Sequence, residues 1–334
     1  MPRWKYFAAV TLAIVSAPAI AQETREHFDT RFISNDTAVL LVIHPQRILS
    51  RKSKVKAEVD QMFAKVAESE GLDVRNLRQV VAQIGTPPSD GRPIRNLFDS
   101  EFWTLILRFD EPVNVESFVD KHAQEYTKAE HNRATYYKHD SRSQMWFPDN
   151  RTLVMGVERR ILSLIDDPKG KGPMVSRMRS ANATEDLLLE IDVRQAGPLL
   201  LASLPGEARG PGLHPVIEQA TEQLKRIALT AKQTSDTPIR AQFQAIDAKN
   251  AEELHVQASA LLKTAQDGWS KSRDLIRQRP VDKNTKLVDA FADEIDSVLP
   301  AIQLAVDEDQ LLVRLEKEGG VDLVALLVFF MLID

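Results

Sequence analysis

The chain has no cysteine, only 13 glycines in 334 residues, and few aromatic side chains, at 6%. Without cysteine there are no disulfides, thiol nucleophiles, Cys-ligated zinc sites or iron–sulfur clusters. A chain of this length buries enough apolar surface to fold without covalent staples. Scarce glycine leaves little from which to build phosphate-cradling loops. No G-x-x-x-x-G-K-[ST] occurs, no G-x-G-x-x-G follows an apolar strand, and no G-x-S-x-G elbow presents a serine. There is also no excess of cations: the formal charge is −5. That argues against a nucleic-acid binder, which usually presents a basic face.

What is present begins with an export signal. Arg3 and Lys5 precede an apolar stretch from Tyr6 to Val15, and Ala19 and Ala21 stand in A-x-A order before Gln22. This pattern predicts cleavage after residue 21 and an extracytoplasmic mature protein, periplasmic or secreted. The apolar stretch is about half of the ~20 residues a spanning helix needs. No cysteine follows the cleavage point to carry a lipid. Cleavage removes two cations and no acid, taking the formal charge to −7.

Beyond a short lead at 22–32, the order of elements suggests one architectural unit used twice, at 33–167 and 184–334, joined by a linker at 168–183 that holds Pro168, Gly170, Gly172 and Pro173. Each copy opens with a buried strand, Ala38–Ile43 ending at His44-Pro45 and Leu187–Ile191 followed by Asp192. Helical spacing follows, clear for Val55, Val59, Met62, Phe63 and Val66 and weak around Val216–Leu224. Two strands come next in each copy. The second, Phe102–Phe109, is nearly all apolar, so it should lie mid-sheet; its counterpart Ile239–Ile246 alternates, so one of its faces should be wet.

Asn114 and Asn250 stand where helix N-caps are expected, with Glu253 completing a capping box. The stripes that follow are Phe118, Val119, His122, Tyr126 and Leu254, Ala258, Leu261, Ala265, Trp269. A hairpin and a final helix close each unit, with Asp149 and Asp307 in matching turns. The second copy carries an extra helix at 282–299. The expected fold is α+β: two tandem β-α-β-β-α-β-β-α units, mostly antiparallel, with helices on one face.

With these elements laid out, Phe147–Gly156, Ile106–Val113 and the opening strand into His44-Pro45 resemble an uncharacterised group of exported planctomycete-type proteins. The resemblance covers most of the first copy. It implies export and a duplicated α+β fold, and no reaction.

Candidate chemistry is sparse. His122, His131 and His139, beside Asp140, are the only histidines close together in sequence. They fall on an expected helix, loop and strand, and their spacing matches no established metal pattern. His44 ends a strand before Pro45 and reads as a turn former. Asp149 and Asp307 read as turn aspartates that bond their own backbone. The neighbouring carboxylates Asp166-Asp167, Glu252-Glu253 and Asp293-Glu294 read as solvated surface. Arg51-Lys52-Ser53-Lys54-Val55-Lys56 and Arg273, Arg277, Arg279 are basic groups on expected helices, and Asn35 and Asn182 begin glycosylation sequons. The C-terminal run Leu323–Ile333 is 11 residues, too short to span a bilayer, and reads as a core helix.

These observations favour an exported, non-catalytic structural or protein-binding module. It is expected to have no cofactor, no assigned metal, no nucleic acid and a partner among envelope or extracellular proteins. Two alternatives stand: an extracytoplasmic hydrolase or metal-dependent enzyme using the histidine region, and an envelope protein held through its apolar C-terminus.

Overall fold

The computed structural model describes residues 28–50, 53, 55–70, 72–86, 102–122, 126–139, 143–181, 184–202, 218–219, 221–277, 285–318 and 320–324. The expected export signal with Ala19 and Ala21, Asn182, Arg279 and the C-terminal run beyond Val324 lie outside the described residues, and of the helix expected around Val216–Leu224 the described residues 218, 219 and 221–223 are helical.

Twelve strands form one sheet: β1 (Thr37–Ile43), β2 (Leu77–Gly85), β3 (Trp103–Phe109), β4 (Thr127–His131), β5 (Ala134–Lys138), β6 (Gln144–Asp149), β7 (Thr152–Gly156), β8 (Leu187–Asp192), β9 (Leu224–Ala231), β10 (Ile239–Ala245), β11 (Ile302–Asp307) and β12 (Gln310–Leu315). Their order is β11-β12-β10-β9-β8-β1-β2-β3-β7-β6-β5-β4, and neighbouring strands are antiparallel. The opening strands of the two halves pair directly, from Val39↔Ile191 to Ile43↔Leu187. The halves therefore share one sheet. Outward from this seam one side runs β1, β2, β3, β7, β6 and the other β8, β9, β10, β12, β11. The first side adds the hairpin β4–β5, whose turn residues Asn132 and Arg133 both have positive φ.

The helices are α1 (Pro45–Leu49), α2 (Lys56–Glu70), α3 (Val115–His122), α4 (Glu158–Asp166), α5 (Pro173–Ser180), α6 (Val193–Ala202), α7 (Ala248–Arg277) and α8 (Thr285–Val298). One apolar layer gathers Ile43, Leu105, Leu107 and Met155 under Val59 and Phe63 of α2 and Phe118 of α3. It continues through Ala231 and Leu315 to Ala290 and Val298 of α8. On the same face α7 places Ala251 and Leu254 against Leu224, Ala245 and Leu311.

The opposite face is different in the two halves. In the first half Leu40, Val42, Val81, Ile106 and Val154 are covered by Ile161 and Leu164 of α4, Met174, Val175 and Met178 of α5, and the lead segment through Phe28, Phe32 and Ile33. Helices thus pack on both faces there, not on one as expected. The reason lies in β2 and β3, which are apolar at consecutive positions (Val80-Val81, Leu105-Ile106-Leu107) and need cover on both sides. The segment at 168–183, expected to be a linker, supplies α5 and part of that cover.

Several local expectations hold and others shift. β3 is buried along almost its whole length, and Asn114 caps α3 by accepting from the Ser117 N–H at 3.0 Å. Asn250 is not the cap of α7. Asp247 is: its carboxylate accepts from the Asn250 N–H at 2.8 Å. Glu253 accepts instead from Gln223 Nε2 at 2.9 Å. Tyr126 lies beyond α3, buried. On α7 the inward stripe beyond Ala258 is Leu262, Gln266, Trp269 and Arg273, while Ala265 is exposed and Leu261 is 54% exposed. Trp269 sets this rotation, stacking edge-on to Phe291 of α8 and donating to Asp296 at 2.8 Å.

Candidate functional site

The histidine region does not assemble. His131 Nε2 lies 2.7 Å from Asp166 Oδ1, which also accepts from Asn132 Nδ2 at 2.5 Å, so this histidine ties the β4–β5 turn to α4. His139 packs edge-on against Tyr126. His122 is the last residue of α3, and its side chain lies outside the described set. Among the described residues no group of three His, Asp or Glu side chains is placed to hold a metal.

His44 does more than form a turn. It is 4% exposed, neither ring nitrogen has a hydrogen-bond partner, and its ring stacks on Phe28 at 5.4 Å. Burial pushes its pKa down to about 3, and the charges of Arg47, Arg78 and Arg108 add to the effect. The Arg78 main chain faces the ring without hydrogen-bond geometry. His44 is therefore a neutral core residue.

Nearby lies a buried polar cluster. Arg108 donates to Gln79 Oε1 at 2.5 Å and to the Arg31 carbonyl at 2.9 Å, and its Nε is 3.1 Å from Asp29 Oδ2. Burial drags the guanidinium down to about 10, partly offset by Asp29. Burial raises the Asp29 carboxyl, but the hydrogen bond from Arg31 and the charge of Arg108 outweigh it and hold the group below its ordinary value. The cluster pins the lead segment across the sheet. A second buried guanidinium, Arg160, reaches Asp36 at 3.0 Å over Gly85, where an added Cβ would lie 1.3 Å from Arg160 Nη2. Both are structural uses of charge.

The remaining sequence candidates sit apart. Asp149 accepts from the Arg151 N–H at 2.9 Å as a turn residue, and Asp307 opens the β11–β12 turn, paired with Gln310. Asp192 pairs with Arg177 at 3.4 Å. Lys56 pairs with Asp60, and Arg273 with Asp274 and Asp296. Arg51, Lys52 and Lys54 lie outside the described residues. Asn35 is exposed. Glu294 corrects the solvated reading of the acidic pairs: it is 6% exposed and accepts from Lys317 Nζ at 2.5 Å and the Asp322 N–H at 3.1 Å.

The face that sequence reasoning located only as wet carries exposed polar side chains among the described residues. The helices that pack on β10, β11 and β12 do so from the apolar side. On the other side cross-strand rows run Thr230–Arg240–Arg314–Gln303 and Ala228–Gln242–Leu312–Ala305. Arg240, Gln242, Arg314, Gln303 and Ala305 are exposed. A depression of about 290 Å³ opens there, lined by Thr237, Arg240, Gln242, Leu312, Arg314 and Glu316 among others.

Charge is unevenly spent on this face. Arg226 is held by Glu190, itself buried, at 2.5 Å. Arg240 and Arg314 stand directly opposite each other on adjacent strands. Among the described residues neither makes an ion pair within 4 Å. Glu185 feels Arg240 only at longer range, and Glu316 on the rim accepts from Gln303 Nε2 at 2.8 Å. The alternation in β10 was the one sequence signal for this surface. The Arg–Arg register is visible only once β10 and β12 are paired across 64 residues of intervening chain, roughly two-thirds of it α7 and α8.

No family model matches this chain, and no curated protein matches it. Among solved structures it is similar to three crystal forms of TP0453. Form IV has a TM-score of 0.42 at 11% identity, covering 90% of this chain and 94% of that one. Forms III and I give TM-scores of 0.41 and 0.40 at the same identity, covering 90% of this chain and 96% and 94% of theirs. At these scores the likeness extends neither fold nor function to this chain.

Proposed function

We propose that this chain is an exported, non-catalytic binding module whose contact surface is the bare face of β9, β10, β12 and β11. The uncovered face carries the reading. Among the described residues the four adjacent strands β9, β10, β12 and β11 hold helices on one side only, and the other side presents exposed polar side chains around a depression. Loops and sheet surfaces held on a rigid scaffold are where recognition concentrates. The export signal at 1–21 supports an extracytoplasmic setting.

We also read the two halves as copies of one unit. The matching strand orders outward from the β1–β8 seam support this, as does the equivalent placement of His44 and Asp192 at the ends of the two seam strands.

Complementation of a deletion strain tests the binding reading. Gln242→Glu and Ala305→Glu place acids on the bare face and should abolish the cellular role while the purified proteins keep wild-type urea midpoints. His131→Ala and His139→Ala should retain it. Loss of function in the histidine variants alone, with both face variants complementing, would move the site to the histidine region and overturn the reading.

A further inference from the structure

Arg240 and Arg314 face each other across β10 and β12, exposed and without an ion pair among the described residues. Directly opposed like charges in an antiparallel sheet sit roughly 4.5–5.5 Å apart at Cβ and destabilise the pairing. This chain has acids available and uses one elsewhere on the same face, where Glu190 neutralises Arg226. The uncompensated pair is the exception. It also lines the depression beside Thr237 and Gln242, both able to donate hydrogen bonds. Two guanidinium forks from adjacent strands match the geometry by which arginine grips carboxylate or phosphate.

We propose that Arg240 and Arg314 form a receptor for one oxyanion, a carboxylate or a phosphate, carried by the binding partner. The proposal rests on the bare face being the contact surface. Glu316 on the rim leaves the site one positive charge in excess, and its bond to Gln303 turns it toward β11. A single anionic group satisfies that excess. A polyanion would meet Glu316 as well.

Binding is measured on the full mature chain by urea denaturation and by amide chemical shifts, with inorganic phosphate in one arm and glutarate in the other, at constant ionic strength. An anion at ten times its Kd should raise the folding equilibrium constant about elevenfold. The shifts should concentrate at 228–231, 237–244 and 310–316. The double variant Arg240→Gln/Arg314→Gln should lose both responses, and Arg314→Lys should retain a weaker one. In low salt without anion, Arg314→Gln should be at least as stable as wild type, because it relieves repulsion. A response to phosphate alone assigns a phosphate-bearing partner, and a response to glutarate alone a carboxylate-bearing one. Equal responses of wild type and double variant, or shifts centred elsewhere, overturn the proposal. If the anion site fails while Gln242→Glu still abolishes the cellular role, the binding-face reading survives. If the anion site holds while both face variants complement, that reading falls alone.

Discussion

His44 should make this protein acid-sensitive well above the pH at which its carboxylates titrate. In the folded state the ring is buried with neither nitrogen paired, and its pKa lies at about 3. In the unfolded chain an ordinary histidine titrates near 6.5. Between these values the unfolded state binds more protons, so stability is full above about pH 6.5 and falls as the pH drops toward 3. At pH 5 the unfolded-state ring is almost wholly protonated and the folded-state ring is not. The loss is then about 1.5 pH units at 1.36 kcal/mol each, or ~2 kcal/mol. Because pH 5 lies well above 3, that figure depends little on the folded-state value.

The perturbation is His44→Leu, close in volume and free of titration, which should cost less than ~1.5 kcal/mol at pH 7. Urea midpoints and slopes are read by tryptophan fluorescence at pH 7 and pH 5 for both proteins. Carboxylates, including Glu185, whose pKa burial raises, are common to both and cancel in the comparison. Wild type should lose ~2 kcal/mol more than the variant between the two pH values. Equal losses in the two proteins would mean that the ring is hydrated or paired in solution and would refute the reasoning.

Three further outcomes test the packing. Arg108→Ala strands Asp29 and Gln79 and should cost roughly 3–5 kcal/mol in urea denaturation, the usual penalty for leaving one side of a buried charge pair. Gly85→Ala drives a methyl group into Arg160 and should cost about 1–3 kcal/mol. In an Arg160→Ala background it should cost markedly less, and additive costs would disprove the contact. Asp247→Ala should lower stability by about 1 kcal/mol and Asn250→Ala by much less. The reverse order in thermal melts would return the cap of α7 to Asn250.

Some of this was open to reading from residues alone. Period-two and continuous apolar runs marked β1, β3, β8 and the two closing hairpins, because strand burial is written locally as hydrophobic spacing. The wet side of β10 was visible for the same reason. The β4–β5 hairpin was not, since its strand Thr127–His131 is too polar to show alternation and only Asn132-Arg133 hinted at a turn. The rotation of α7 was misjudged because a 30-residue helix rich in alanine carries two overlapping apolar stripes, and Phe291 and Asp296 of another helix choose between them.

Composition and local pattern by themselves determined a cysteine-free α+β chain with antiparallel strands. Those properties follow from which residues neighbour one another along the backbone. Tertiary structure alone decided that both halves join in a single sheet, that His44 and Glu294 are buried, and that Arg240 meets Arg314. Each depends on groups brought together from distant parts of the chain, and contact energies of that kind leave no periodic trace in the order of residues.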